Sequence, residues 1–344
     1  MGKKLFDFCI GNPPYQSINE QNHRQSPVYD RFMDEAFKIG TCVEFITPAR
    51  FLFNAGQTSK EWNEKMLNDE NFAVLNYYSD SSAIFRNVDI KGGVVISIRD
   101  ERKKYGKIGF FTIYDEVRQV VRKVQNEGFT PLSKYIYPKS TYNLSDKLYE
   151  IYPELRSRLT KGNQTIIDAN IFEKMPEIFE DDSPKNISDY IKVYGRKNNA
   201  RTEKWIPKEY IRKNEQLQKY KVYIPGANGT GDLGETLSTP EIGVPNSCHT
   251  QTYMSIGSFS TMLEAINCAK YIRTKFLRLL LGTLKVTQNN PRDTWSNVPL
   301  QDFTSSSDID WSKSIHEIDL QLYKKYGLNQ EEIDFIEKNV KEMA

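Results

Sequence analysis

The sequence predicts an α/β protein: part of a doubly wound sheet over residues 1–125, an α+β region over 130–300, and a helical tail over 301–344. Three observations predict it. Strand-like and helix-like segments alternate in the first third, with a loop after each strand. From about residue 130 the pattern turns irregular and rich in turn formers, which puts a domain boundary between about 115 and 150. Near the C-terminus helical periodicity returns and the last helix carries its own cap.

"KLFDFCIG" (4–11) reads as a buried strand, apolar and aromatic, ended by Gly11. "SPVYDRFMDEAFKIG" (26–40) reads as an amphipathic helix with Ser26 as N-cap and Pro27 in its first turn. Its apolar stripe is Val28, Phe32, Ala36 and Phe37, and Gly40 ends it. "CVEFITP", "AVLNYYSD", "GGVVISIRD" and "IGFFTIYD" read as four further strands. "TMLEAINCAKYIRTKFLRLLLG" (261–282) reads as one helix. Its inner stripe is Met262, Ile266, Ala269, Ile272, Phe276 and Leu279/Leu280, with Arg273, Lys275 and Arg278 outside it. "NQEEIDFIEKNVKEM" (329–343) is a helix capped by Asn329.

With 344 residues the chain can form two domains or one large one. No apolar run approaches the ~20 residues of a membrane helix, in keeping with a mean hydropathy of −0.62. The charged start "MGKK" leads into a strand broken by Asp7, unlike a signal peptide. Cys9, Cys42, Cys248 and Cys268 are scattered without C-x-x-C spacing. Neither a metal site nor a disulfide framework is expected, and a reducing cytoplasm is the simple reading. The net charge of +2 is uninformative, but its distribution is uneven. Residues 195–221 hold nine Lys/Arg against three Glu, and 273–292 hold five basic residues and no acidic one. Such stretches, rich in Tyr and Asn, fit a nucleic-acid surface. A solvated basic face is the alternative.

"NPPY" (12–15) is the segment that carries chemistry. Beyond the C-terminal end of a parallel strand it would lie where open α/β sheets bind ligands. Asn12 offers an amide oxygen. Pro13 fixes its own backbone angle, so its carbonyl can be aimed, and Pro14 stiffens the turn. Two aimed acceptors suit the two hydrogens of a planar NH2 group, and Tyr15 adds a stacking face. The alternative is a proline-rich turn with no ligand.

On these residues the sequence resembles the gamma-like adenine-N6 DNA methyltransferases of Type II/IIG restriction-modification systems. Asn12-Pro13-Pro14-Tyr15 is similar to their catalytic motif. "FITPARFL" and "DSSAIFRNVDIKGGVVISI" are similar to the strands and turns that follow it. "YKVYIPGANGTGDLGE", "PNSCHTQTYMSIG" and "YIRTKFLRLLLGTLKVTQN" resemble the family's target-recognition region, and the segment from Val298 to Lys338 resembles its tail. The resemblance implies base flipping into a pocket. Asn12 and the Pro13 carbonyl would accept from the adenine N6, Tyr15 would stack on the base, and S-adenosylmethionine would give the methyl group. It also implies a bacterial cytoplasmic setting, double-stranded DNA as partner, and a methyltransferase catalytic part over 1–125 followed by recognition over 130–300.

Two departures bear on this. The family's glycine-rich cofactor motif lies upstream of the Asn-Pro-Pro-Tyr motif, and only "MGKKLFDFCIG" is upstream here. The cofactor half of the sheet is therefore expected to be missing, and the chain is expected to be a fragment or split subunit, a degenerate gene product being the alternative. Its partner would be the N-terminal methyltransferase half or an endonuclease domain or subunit. "GANGTGDLG" (226–234) has glycines, but "ETLSTPEIGVP" follows instead of a helix. It reads as a DNA-facing loop and not as a cofactor site. Second, the family often has an aromatic after the Lys-Gly-Gly turn, where this chain has Val95, Ile96, Ser97 and Ile98. Phe85 or another aromatic would have to serve.

"KVTQNNPRDTW" offers base-reading side chains in Lys285, Gln288, Asn289 and Arg292, a phosphate-contacting or structural loop being the alternative. Arg196, Lys197 and Arg201 suit phosphates. Asn228, His249 and Gln251 complete the expected DNA contacts. Two other readings stay open: a DNA-binding specificity module without activity, and methylation of RNA adenines or protein glutamines. About 200 residues beyond the catalytic part favour a long duplex over the glutamine version.

Overall fold

The computed structural model describes residues 4–18, 25–53, 57–86 and 90–343. The chain divides into two compact units, 1–119 and 120–344.

In the first unit, strand β1 (Phe6–Gly11) leads into a small antiparallel pair, β2 (Gln16–Ile18) and β3 (Gln25–Pro27). Helix α1 (Tyr29–Ile39), β4 (Gly40–Pro48), α2 (Lys60–Asn68), β5 (Phe72–Tyr78), β6 (Val94–Asp100) and α3 (Asp115–Asn126) follow, the last spanning the division between units. The main sheet has the order β1-β4-β6-β5. β1 and β4 are parallel, in register from Phe6 opposite Gly40 to Gly11 opposite Phe45. β6 runs antiparallel to both β4 and β5. The C-terminal ends of β1, β4 and β5 therefore share one sheet edge with the start of β6. Tyr29 and Met33 of α1 and Trp62 and Met66 of α2 pack with Phe72 and Val95 of the sheet. Burying each such side chain contributes about 1.5–3 kcal/mol. β1, expected to be buried, is an edge strand, and Leu5, Phe6, Phe8 and Ile10 are 72%, 53%, 63% and 78% exposed.

Several expectations change here. Ser26 and Pro27 belong to β3, and the helix begins at Tyr29 without a side-chain cap. Pairing of Gln16 with Pro27, and a Val28 N–H bond to the Tyr15 carbonyl at 3.1 Å, hold that segment extended. The buried stripe is Tyr29, Met33 and Ala36, while Phe32 is exposed. Gly40 opens β4, and its bare α-carbon is required because a Cβ would fall 2.7 Å from Cys9 Sγ. Residues 108–115 form no strand. Gly109 has φ +62°, which interrupts the extended backbone, and Phe111 instead wedges edge-on between Phe53 and Tyr77, each at 5.5 Å.

The second unit contains β7 (Ile136–Tyr137), α4 (Asp146–Ile151), α5 (Ile171–Lys174), β8 (Tyr190–Lys197), β9 (Ala200–Pro207), β10 (Tyr220–Pro225), β11 (Glu241–Gly243), β12 (Ser247–His249) and β13 (Tyr253–Phe259), then α6 (Met262–Arg273), α7 (Lys275–Gly282), α8 (Ile315–Lys325) and α9 (Gln330–Asn339). Its two larger sheets have the orders β11-β10-β13-β7 and β12-β8-β9. β8 and β9 form a tight hairpin, Lys197 opposite Ala200. Asn198 and Asn199 between them have φ +51° and +62°, the left-handed pair that a two-residue hairpin turn demands and asparagine tolerates.

The single helix expected over 261–282 is two helices. Thr274 is extended (φ −63°, ψ 148°), and its hydroxyl accepts from Leu277 N–H at 3.2 Å. The buried Asp319 carboxylate accepts from the N–H groups of Lys275 and Phe276, both at 2.9 Å, which caps the second helix from outside. Arg278, expected outside the stripe, is buried and donates to the carbonyls of Glu235 (3.3 Å) and Lys341 (2.6 Å). Met262 and Ile266, expected inside, are exposed. α9 carries the expected cap: Asn329 and Glu332 bond reciprocally at 2.9 and 2.8 Å.

Candidate active site and nucleic-acid interface

Asn12 follows directly on β1, at the edge where the parallel strands end. Pro13 is buried, whereas Asn12 and Pro14 are exposed. The Asn12 side chain makes no hydrogen bond among the described residues. Tyr15 is half-buried, and Phe85 meets it edge-on with ring centroids 6.3 Å apart. Burial pushes the Tyr15 phenol up to about 12. Its hydroxyl lacks a partner among the described residues, as do Asp30 Oδ1 in the first turn of α1 and Thr47 Oγ1 at the end of β4. A buried polar atom left unsatisfied costs about 1–3 kcal/mol. All three residues belong to segments that reach the edge where β1 and β4 end.

Glycines bring the other motif segments to the same edge. Gly92 and Gly93 have φ +84° and +76°, and a Cβ on Gly93 would fall 2.2 Å from the Tyr78 carbonyl. This tight turn lies against the end of β5. It is tied to the turn after β4 by Ala49 N–H to Gly93 carbonyl at 3.0 Å and by Arg50 Nε to the Lys91 carbonyl. Asp80 accepts from Ser82 N–H at 2.9 Å, and Phe85 N–H bonds the Ser81 carbonyl at 2.8 Å, which sets the Phe85 ring. Asp89 of the Asp-Ile-Lys-Gly-Gly segment lies outside the described residues. The Asn12 amide and the Tyr15 ring thus follow directly on β1, and the Phe85 ring meets Tyr15 there. A cleft of about 660 Å³ in the same unit, lined by Lys4, Phe37, Arg99 and Glu101, lies at the opposite strand ends. Its charges are engaged with one another, Lys4–Glu101 at 2.7 Å and Arg99–Asp69 at 2.7 Å.

The expected DNA contacts separate into two groups. Lys197, Gln288, Asn289 and Arg292 are exposed. Arg196 is half-buried and reaches Tyr253 Oη at 3.4 Å. Arg201 pairs with Glu241 and donates to the Thr239 carbonyl at 3.2 Å. Gln251 is half-buried. The others are engaged within the fold. His249 is buried, with Nδ1 on the Thr250 carbonyl at 2.9 Å, and burial pulls its pKa down to about 4. Lys285 is buried and paired with Glu235. Asn228 has both ends of its amide engaged, donating to the Thr236 carbonyl at 2.9 Å and accepting from Ser238 N–H at 2.9 Å. Much of the basic charge is used the same way: Lys204 pairs with Asp181, Lys221 donates to the Gln216 and Val244 carbonyls, and Lys275 pairs with Glu337. Some of these partners lie far along the sequence, Glu235 fifty residues from Lys285 and Glu337 sixty-two from Lys275, so only the structure reveals them. Lys139 is exposed and was not signalled by any motif.

The glycine-rich loop does not fit S-adenosylmethionine. Its Thr230 and Gly231 N–H groups are taken by the Glu235 carboxylate at 2.7 and 3.2 Å, and no helix follows it. Among the described residues no cluster of three or more His, Cys, Asp or Glu is placed to hold a metal ion, and no helix is long and apolar enough to cross a membrane.

Residues 1–85 match the family model of the Eco57I restriction-modification methylase. Two solved structures are similar at low identity. One is the type IIG restriction endonuclease BpuSI, at 10% identity and TM-score 0.32, over 92% of this chain and 48% of that one. The other is the type IIL restriction-modification enzyme MmeI in complex with DNA, at 11% and 0.37, over 97% of this chain and 56% of that one. The chain thus spans about half the length of these structures. Comparison with curated proteins gives no match. The matched segment includes the Asn-Pro-Pro-Tyr turn, the turn after β4 and Phe85, which supports a restriction-modification methylase.

Proposed function

We propose that this chain supplies the amine-gripping site and the DNA-recognition part of an adenine-N6 DNA methyltransferase in a restriction-modification system. The observation that carries the reading is an Asn12 amide without a hydrogen bond among the described residues, three residues before Tyr15, whose ring meets Phe85, at the sheet edge where β1 ends. A flipped adenine presents a flat ring and one NH2 group. Asn12 Oδ1 and the Pro13 carbonyl would accept its two hydrogens, Tyr15 would offer a face, and Phe85 would close the pocket from the side. Fixing the amine in this way lowers the entropy cost of reaction.

The glycine-rich loop does not fit the methyl donor, S-adenosylmethionine. We propose that a separate cofactor-binding half of a Rossmann-like sheet holds it. The open, apolar β1 edge suits such a partner, because parallel strands are seldom left uncovered. The closed glycine-rich loop favours a second reading, a DNA-binding subunit without catalysis.

The test is methyl transfer to adenine-containing duplexes, with the cofactor-binding half added or fused. Asn12→Ala is expected to lower transfer by roughly 10²–10³, the usual loss for one preorganised polar contact at a reacting group, and to leave duplex binding intact. Near-normal transfer by that variant would exclude Asn12 from the site. Calorimetric titration of the chain alone with S-adenosylmethionine is expected to show no micromolar binding. Such binding would place the cofactor site within this chain.

A further inference from the structure

The loops 226–239 and 285–292 form one unit. Ala227 bridges Asn289, Asn228 N–H bonds the Gln288 carbonyl at 2.8 Å, and Asn290 N–H bonds the Gly226 carbonyl at 3.1 Å. Beneath them Lys285, 2% exposed, donates to the Asn228 carbonyl at 2.8 Å, the Thr287 carbonyl at 3.2 Å and the Glu235 carboxylate. Gly231 passes so close that a Cβ there would fall 2.2 Å from Thr287 N. Asn290 is buried and accepts from Trp295 Nε1 at 2.8 Å. At the tip two amides stand apart from this network. Gln288 and Asn289 are exposed, and their side chains make no hydrogen bond among the described residues.

A fixed backbone under two free amides suits recognition of a polar edge, because the loop has little conformational entropy left to lose on binding. A side-chain amide carries a donor and an acceptor side by side, which matches adenine N6 and N7 in the major groove. Exposed cations flank the tip. Arg292 follows it, and the Lys139 stem lies on Gly226, where a Cβ would fall 1.8 Å from Lys139 Cε.

We propose that Gln288 and Asn289 are the base-reading tip of a duplex-DNA contact, and that Lys285, Glu235 and Asn228 are positioning residues that hold it without touching DNA. The proposal rests on the DNA-modifying reading above. Lys139 and Arg292 contact the flanking phosphates.

The full chain is offered a pool of randomised duplexes, and its affinity for one fixed duplex is followed against salt. The wild type is expected to enrich a defined sequence. Gln288→Ala with Asn289→Ala is expected to erase preference at one or two base pairs, roughly 5- to 150-fold each, with the salt slope unchanged. Glu235→Gln with Lys285→Met removes both charges of the pair together and is expected to blur those same base pairs, again with an unchanged slope. A general loss of stability would weaken all sequences alike. Lys139→Ala is expected to reduce the slope by about 0.9. Unaltered enrichment by the alanine pair overturns the proposal. So does a slope reduced by about 0.9 in the Lys285 variant, which would make that lysine a phosphate contact. Duplex binding by the wild type without enrichment overturns the base-reading tip alone, whereas no duplex binding at all overturns the DNA reading as well.

Discussion

Two short turns in this molecule invert what their composition suggests. The loop at 226–235 is full of glycines, the residue that lets backbone N–H groups close on a ligand, yet its own Glu235 carboxylate already occupies those groups. The turn at 12–15 is stiff with proline, the residue of structural corners, yet it leaves an amide and a buried phenol without partners among the described residues. A glycine run records that the backbone must fold tightly and says nothing about what fills the space. Unengaged polar capacity at a rigid place is the better sign of a ligand.

The contrast is broken most severely from the engaged side. Lys285→Met alone leaves the Glu235 carboxylate half-buried without its cation. Breaking a buried pair from one side costs roughly 3–5 kcal/mol. The expected outcome is a large fall in the denaturant midpoint of the second unit, most of it recovered when Glu235→Gln is added. A fall of well under 1 kcal/mol would mean that the pair is solvated in solution and that the loop is open to ligands.

His249 gives a pH-dependent version of the same test. Burial pulls its pKa down to about 4, from about 6.5 in an unfolded chain. Between these values the unfolded chain binds a proton that the folded chain refuses. The stabilising contribution is therefore complete above pH 6.5 and falls as pH drops toward 4, by about 1.4 kcal/mol per pH unit. His249→Phe is expected to flatten that acid limb of the stability curve, followed by urea unfolding from pH 7 to pH 4.5. If the limb survives in the variant, other groups govern it. A limb absent from the wild type would place the histidine in contact with solvent.

What the sequence made legible follows the same division. β1, β4, β5 and β6 are visible because their apolar runs end in Gly, Pro or Asp. The α9 cap is visible because both of its members lie within four residues. The start of α1 is hidden because the Tyr15 carbonyl, across the chain, decides it, and the break at Thr274 is hidden because Asp319 supplies the cap. Asn198-Asn199 is a readable hairpin signal inside a strongly basic stretch. Of the candidate site, Asn12 to Tyr15 stand out by residue type. The contact that gives Tyr15 its edge-on partner depends on how the turn at Ser81–Ala83 sets Phe85, which no spacing encodes.

The smallest expected effect is at Tyr15, and it separates a ring from a hydroxyl. The phenol oxygen is buried and without a partner among the described residues, so it contributes no hydrogen bond to the turn. Removing it by Tyr15→Phe is expected to leave fold and methyl transfer near normal, with stability unchanged or slightly raised, because an unsatisfied buried group is lost. Tyr15→Ala removes the face as well. A flipped base then loses one stacking partner, worth ~1–3 kcal/mol, while Phe85 stays on its own turn. With the cofactor-binding half supplied, the fluorescence of 2-aminopurine at the target position reports the extruded state. Its signal should fall about 5- to 150-fold in population for Tyr15→Ala and hold for Tyr15→Phe. If Phe behaves like Ala, the hydroxyl itself is a ligand contact, and the unpartnered atom is the one that meets the substrate. If both behave like the wild type, the base stacks elsewhere and the free Asn12 amide must be read without its ring.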